Sequence, residues 1–239
     1  MQKSIALLFG ALIITTVAVA QDKIKGNGNV TTKNISTSDY DKVIVSGFYD
    51  VDLVEGTEGK ITIKGEENLL EFVAIEVKDN ILRIGTEKGK RISPGMGKTI
   101  TVTVPFQSLG EVSLAGSGDI NSKATIKASK FTTSLSGSGD VKLTVDAKDV
   151  SSKVTGSGDL TIKGKADNLN CEVTGSGDLD AFGLQSANVD SSVTGSGNCK
   201  VYCTDFLMAR VTGSGDINYK GDPKKKDTKV HGSGSISKV

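Results

Sequence analysis

Five aspartates, Asp119, Asp140, Asp159, Asp178 and Asp216, each follow the tripeptide Gly-Ser-Gly, and Asn198 and Ser235 take the acid's place in two further copies. Recurring carboxylates invite three kinds of chemistry. Two of them on neighbouring segments can act as the acid and base of glycoside hydrolysis. Several oxygens together can hold calcium, which some repeat arrays bind. Alternatively, each carboxylate can accept hydrogen bonds from backbone N–H groups at a turn. The hydrolase reading asks for one cleft with aromatic sugar platforms, but these acids recur throughout and aromatics form only 5% of the chain. The calcium nonapeptide has the form G-G-x-G-x-D, a spacing that GSGD lacks. Turn capping needs nothing beyond the residues present and is the expectation. Lysines five or seven positions past the first glycine (Lys123, Lys142, Lys163, Lys200 and Lys220) would soften the repulsion between acids.

Other reactive groups are few. His231 is the only histidine, and no G-x-S-x-G elbow accompanies it, so a Ser-His-acid triad is not expected. The glycine-rich phrase mimics a phosphate loop but lacks the following Lys-Ser/Thr and a helix to aim at phosphate. Of the three cysteines, Cys199 falls in an apolar column and Cys171 in a small-residue column. Cys203 lies four residues past Cys199, about 13 Å along an extended chain and beyond disulfide reach. Three unpaired thiols are expected. Lys224, Lys225 and Lys226 read as an end-cap device against strand addition.

The elements that position these residues follow from the spacing of the phrase. It begins at Gly116, Gly137, Gly156, Gly175, Gly195, Gly213 and Gly232, at intervals of 18 to 21 residues. Such periodicity is the mark of stacked structural repeats. Two residues before the first glycine stand Leu114, Leu135, Val154, Val173, Val193, Val211 and Val230. Apolar residues also hold the positions four and six after it, and six before it in the five middle copies, while the odd positions are polar. Period-two alternation is the pattern of half-buried strands. A period near 19 residues, with a strand on each side of the phrase, predicts a parallel β-helix of about seven coils. Stacked at about 4.8 Å per coil, it would be a rod of about 34 Å. The columns do not fix its handedness, and the general preference of parallel crossovers is right-handed. Both glycines have inward parity, where a missing side chain permits a tight corner or a positive φ. Phe182 and Tyr202 share an outward column on successive coils and form the one candidate stacking patch.

Four sections are expected along the chain. Residues 1–20 carry Lys3, an apolar run from about Ile5 to Val17, and Ala18-Val19-Ala20, the form of a secretory signal peptide that leaves Gln21 first. Residues 21–37 are polar and expected to be loosely ordered. Residues 38–106 are strand-rich, with candidates at Val43–Ser46, Tyr49–Val54, Lys60–Lys64, Ala74–Lys78, Ile81–Gly85 and Thr99–Val104. This section, with some antiparallel pairing, should pack on or cap the first coil, and VSGFYDV (Val45 to Val51) looks like a worn copy of the phrase. Residues 107–239 are the β-helix. Removing the signal leaves 28 basic and 28 acidic residues, so no excess positive charge exists to bind nucleic acid, and no membrane span is expected in the mature chain.

The leader, the stretch GFYDVDLVEG…ITIKGEENLLE (Gly47 to Glu71) and the GSGD[ILV] array together resemble the putative auto-transporter adhesin, head GIN domain family, over about residues 40 to 220. The resemblance implies an all-β, β-helix-like protein outside the cytoplasm, in the periplasm, at the outer-membrane surface or extracellular, and brings no catalytic residues. The expectation is a non-enzymatic, adhesin-like interaction module without cofactor or metal, its ligand a glycan or a protein. The candidate binding residues are Asp119, Asp140, Asp159, Asp178, Asp216, Phe182 and Tyr202. The alternative is a carbohydrate-binding or polysaccharide-cleaving module that uses aspartates on adjacent coils.

Overall fold

A computed structural model describes residues 23–239, and the expected signal peptide lies outside the described residues. The amino-terminal half comprises strands β1 (Lys23–Lys25), β2 (Val30–Ser36), β3 (Lys42–Gly47), β4 (Asp50–Glu55) and β5 (Lys60–Glu66), then one short helix, α1 (Glu67–Leu70). Strands β6 (Val73–Lys78), β7 (Ile81–Thr86), β8 (Arg91–Ser93) and β9 (Thr101–Phe106) follow. The array contributes β10 (Glu111–Gly116), β11 (Asp119–Gly137), β12 (Asp140–Gly156), β13 (Asp159–Gly175) and β14 (Leu179–Gly195). It continues through β15 (Cys199–Gly213), β16 (Ile217–Lys220) and β17 (Lys225–Gly232) to β18 (Ile236–Lys238).

From β10 onward each coil lies parallel on the one before and, bulges aside, in register with it, so Gly116, Gly137, Gly156, Gly175, Gly195, Gly213 and Gly232 form one column. The chain is an all-β solenoid of about seven coils, as the alternation predicts. Leu114, Leu135, Val154, Val173, Val193 and Val211 stack inside it, each 1% exposed or less, whereas Val230 in the last coil is 39% exposed. A coil on each side is therefore what buries an inward side chain.

The phrase needs its two glycines for different reasons. Gly156 has φ +119°, a region that disfavours any Cβ. Gly158 is instead a matter of space: a Cβ there would lie 2.2 Å from the Gly139 carbonyl oxygen of the coil below. That carbonyl stands where the side chain would be, so only glycine lets successive corners approach.

The expected strands of residues 38–106 are all present, but they do not stack in the order in which they are written. Strands β3 and β4 form a coil directly beneath β10 and β11. GFYD takes the place of the phrase there: Gly47 has φ +119°, its carbonyl accepts from Ser117 N at 2.8 Å, and Tyr49 occupies the second glycine's place. Beneath this coil lie β7 and β9, which come later in the chain. The chain therefore makes one coil, descends to make the coil below it, then climbs past both to begin β10. Residue 107 is not a break in the stack. Glu58 holds the climbing segment by accepting from Tyr40 N and Gln107 N, both at 3.1 Å, and the Tyr40 hydroxyl donates to the Pro105 carbonyl.

Of the segment 21–37 expected to be loosely ordered, residues 23–36 are instead held in strands and turns. β2 pairs antiparallel with β5 along all seven of its residues, and β1 pairs with β8. The cause is Glu66, 1% exposed, whose two oxygens accept from Gly28 N and Gly95 N at 2.7 Å each. β6 lies antiparallel on β7, and β5 on β9 as well as on β2, so the lower end of the stack is closed by reversed strands.

Candidate functional site

The aspartate column caps corners, but the corner a side chain caps is the next one up, and Asp140 turns to a lysine instead. Asp119 Oδ1 accepts from Asp140 N at 3.1 Å, and Asp159 Oδ1 accepts from Asp178 N at 3.2 Å. Asp178 Oδ1 accepts from both the backbone and side-chain nitrogens of Asn198, at 2.8 and 3.0 Å. Asn198 continues the ladder with Asp216 N at 3.1 Å, and Asp216 takes Ser235 N at 2.7 Å and its hydroxyl at 2.8 Å. Asp140 pairs with Lys142 at 3.7 Å. Of the five lysines expected to soften the column, this is the one paired with a column carboxylate among the described residues. Lys123 pairs with Asp52 at 3.0 Å and Lys200 with Asp180 at 3.8 Å. At the foot of the column, burial raises the Asp50 carboxyl above its ordinary value, and the neighbouring charge of Asp119 adds to this. Among the described residues no three His, Cys, Asp or Glu side chains gather as a metal set would require.

Phe182 and Tyr202 do not share a column. The register of β14 on β15 shifts between Ala181 and Gln185, so Tyr202 stands opposite Gln185, while Phe182 lies in the bulge. A bulge adds residues to one strand and re-aims its side chains, which even spacing in sequence conceals. The Lys220 ammonium lies 4.3 Å from the centre of the Phe182 ring, a cation–π contact that covers one of its faces. The three cysteines are buried and unpaired. The Cys199 thiol beside it, together with burial, holds Cys171 well above the ordinary thiol range.

An apolar-floored surface lies elsewhere, over the start of the strand run that leads to the glycine corner. There a groove of about 350 Å³ crosses successive coils along the rod. Its floor is the column six residues before the phrase: Phe131, Val150, Leu169 and Val189, each at most 3% exposed. One rim is a ladder of side chains, with Asn168 Nδ2 donating to Asp149 Oδ1 at 2.7 Å and Asn188 Nδ2 donating to Asn168 Oδ1 at 3.0 Å. The opposite rim carries Thr132, Ser151, Asn170 and Asp190. Lys130 stands at one end, and Phe206, 37% exposed, at the other.

The floor residues lie in the core, as period-two parity expects, and only their outer edges form the bed of an open channel. The readable signal was the column one position earlier, Lys130, Asp149, Asn168, Asn188 and Phe206. It repeats an amide and then sets an aromatic at an outward position.

Residues 39–223 match the family described as "Putative auto-transporter adhesin, head GIN domain". No curated protein matches the chain. Among solved structures, a "putative adhesin" from Bacteroides fragilis NCTC 9343 has the same fold, with a TM-score of 0.82 at 24% identity over 90% of this chain and all of that one. A "putative lipid binding protein" from Parabacteroides distasonis ATCC 8503 is similar at 28% identity and TM-score 0.73, over 91% of this chain and 100% of that one. A "putative adhesin" from Parabacteroides merdae ATCC 43184 is similar at 25% identity and TM-score 0.67, over 91% and 99%. Among the described residues no helix is long and apolar enough to cross a membrane.

Proposed function

The chain belongs to the putative auto-transporter adhesin, head GIN domain family, and on that premise we propose that it is an exported, non-enzymatic interaction module of the cell envelope. The groove from Lys130 to Phe206 is the observation that carries this reading. It is a concave surface with an apolar floor and polar rims, the form in which proteins hold ligands, and it lies on a scaffold whose coils are locked by continuous pairing. The aspartate column has a structural task in the ladder, which leaves the groove as the better seat for a partner. A glycan contact at the aspartates with Phe182 and Tyr202 is the second reading, supported by the solvent-facing side of Asp119 and Asp159.

The test uses the labelled protein without residues 1–20, incubated with mucin, with fibronectin and with isolated bacterial envelopes. Ser151→Trp places an indole in the groove from an exposed strand position, where strands accept aromatics. Saturable adsorption that Ser151→Trp abolishes is the expected result. Adsorption to none of the three surfaces, or adsorption that Ser151→Trp leaves intact, refutes the groove as the binding seat.

A further inference from the structure

The groove narrows the chemistry of its ligand by excluding several classes. An acyl chain would gain little there, because the channel is open along its length and the floor residues present only their tops. Such a chain would remain half in water, beneath rims of amides and hydroxyls it cannot use. An extended peptide finds no main-chain partner, since the strands under the groove already pair on both sides. Its period also fails: a strand's same-side residues repeat at about 6.7 Å, whereas the coils repeat at about 4.8 Å. A polyanion is disfavoured because the lining holds two carboxylates, Asp149 and Asp190, against the single ammonium of Lys130.

What remains is a ligand with flat apolar faces, hydroxyl edges, no charge, and a repeat close to one coil. We infer that the groove binds a neutral glycan of equatorially linked pyranose rings, laid along the rod at about one ring per coil; this rests on the function just proposed. Such a chain advances little more than one coil per ring and turns each ring over relative to the last, so every ring lies on one coil while equivalent edges recur about every second coil. The ring faces lie on the column from Phe131 to Val189, and their hydroxyls bridge the ladder of Asp149, Asn168 and Asn188 to Ser151 and Asn170 on the far rim. A hydroxyl both donates and accepts. It therefore suits a ladder whose end members keep free capacity, the second oxygen of Asp149 and the Oδ1 of Asn188. Phe206 closes the row as a stacking platform for the last ring. Between Phe131 and Phe206 the groove crosses four coil steps, about 19 Å, which accommodates about four rings.

Affinity electrophoresis in gels containing hydroxyethylcellulose, glucomannan or xylan reads binding directly, and titration with oligosaccharides of two to six rings reads the length of the site. Retardation in at least one neutral gel is expected, with affinity rising through four rings and levelling beyond. Phe206→Ala should weaken it about three- to tenfold, and Asn168→Ala should weaken it in the same direction. Polygalacturonate and phosphatidylcholine vesicles should not bind. Retardation weakened by Phe182→Ala with Tyr202→Ala, but not by Phe206→Ala, moves the glycan to another face and overturns the inference. Binding to the vesicles but to none of the three neutral glycans overturns it in favour of a lipid. Surface adsorption that Ser151→Trp abolishes, without retardation in any glycan gel, overturns the glycan while the groove stands. Loss of both overturns the two together.

Discussion

Asparagine in place of Asp159 should act differently from asparagine in place of Asp216, and the difference isolates what stacking charges costs this rod. Both side chains accept a backbone N–H from the next coil. Asp159 lies in register between Asp140 and Asp178, whereas the neighbours of Asp216 are Asn198 and Ser235. Two unit charges about 5 Å apart in water repel by about 0.8 kcal/mol. Asp178 contributes this in full, and Asp140 contributes less because Lys142 stands beside it. The relief at Asp159→Asn is then about 1 kcal/mol, and at Asp216→Asn about zero. The exchange of a charged for a neutral acceptor of the backbone N–H is common to both substitutions, while Asp216 also accepts from the Ser235 hydroxyl, which adds a part to their difference that salt does not screen. Asp159→Asn should therefore exceed Asp216→Asn by about 1 kcal/mol in 10 mM salt, or about 2 to 4 °C in Tm. In 1 M salt, where the screening length is about 3 Å, the difference should shrink by about that amount. Urea denaturation at both ionic strengths measures it. Equal stabilities in 10 mM salt, or a gap that 1 M salt leaves undiminished, would refute the repulsion argument. A gap that reverses in millimolar calcium would instead mark the column as a cation site. Alanine should cost about 1 kcal/mol at Asp216, the usual value of a lost cap, and less at Asp159, where it also relieves the repulsion.

Three further outcomes can be checked by the same means. The hydroxyl of Ser152 is buried without a hydrogen-bond partner among the described residues, so Ser152→Ala should raise the denaturation midpoint, by about 1 kcal/mol in stability. Glu66→Ala strips the acceptor from Gly28 N and Gly95 N; it should cost about 2 to 3 kcal/mol, and limited proteolysis should cut near residues 24–29 and 93–98 while the coils stay resistant. Asp50 has a raised carboxyl value, so its proton is bound more tightly in the folded than in the unfolded chain, and its ionisation withdraws stability as pH rises past the ordinary 3.8. Asp50→Asn should accordingly stabilise at pH 7, with the gain fading as pH falls through the acid range, as thermal melts from pH 3 to 7 would show.

The coils were legible because stacking gives each column one environment. Val154 and Val173 meet the same neighbours one coil apart, so the sequence states their burial several times over. The lower end offers no such repetition. Nothing local tells β7 and β9 that they belong beneath β3 and β4, because that order depends on pairings between distant segments and on the Glu58 and Tyr40 contacts that hold the crossing. Residues 23–36 read as polar because the acceptor that orders them, Glu66, lies 38 residues beyond Gly28. The aspartates could be read as caps, but period-two parity carries no information about which coil a carboxylate reaches. Phe182 and Tyr202 were misplaced by a bulge that counting cannot see. The groove was invisible for another reason: parity assigns Leu169 to the inside, and only the curvature of the coil decides whether its top is roofed.

The inverted order of the lowest coils has a consequence for assembly. A chain delivered amino end first cannot seat β3 and β4 until β9 has arrived, so about the first 106 residues must emerge before a base exists. After that, each turn needs only the one beneath it as a template. Growth is then polar, like the extension of a filament from a blocked end, because the reversed strands bar addition below. The same polarity makes length adjustable: units of 18 to 21 residues can be gained or lost beyond Gly116 without disturbing the foundation, lengthening or shortening the face on which the groove is cut.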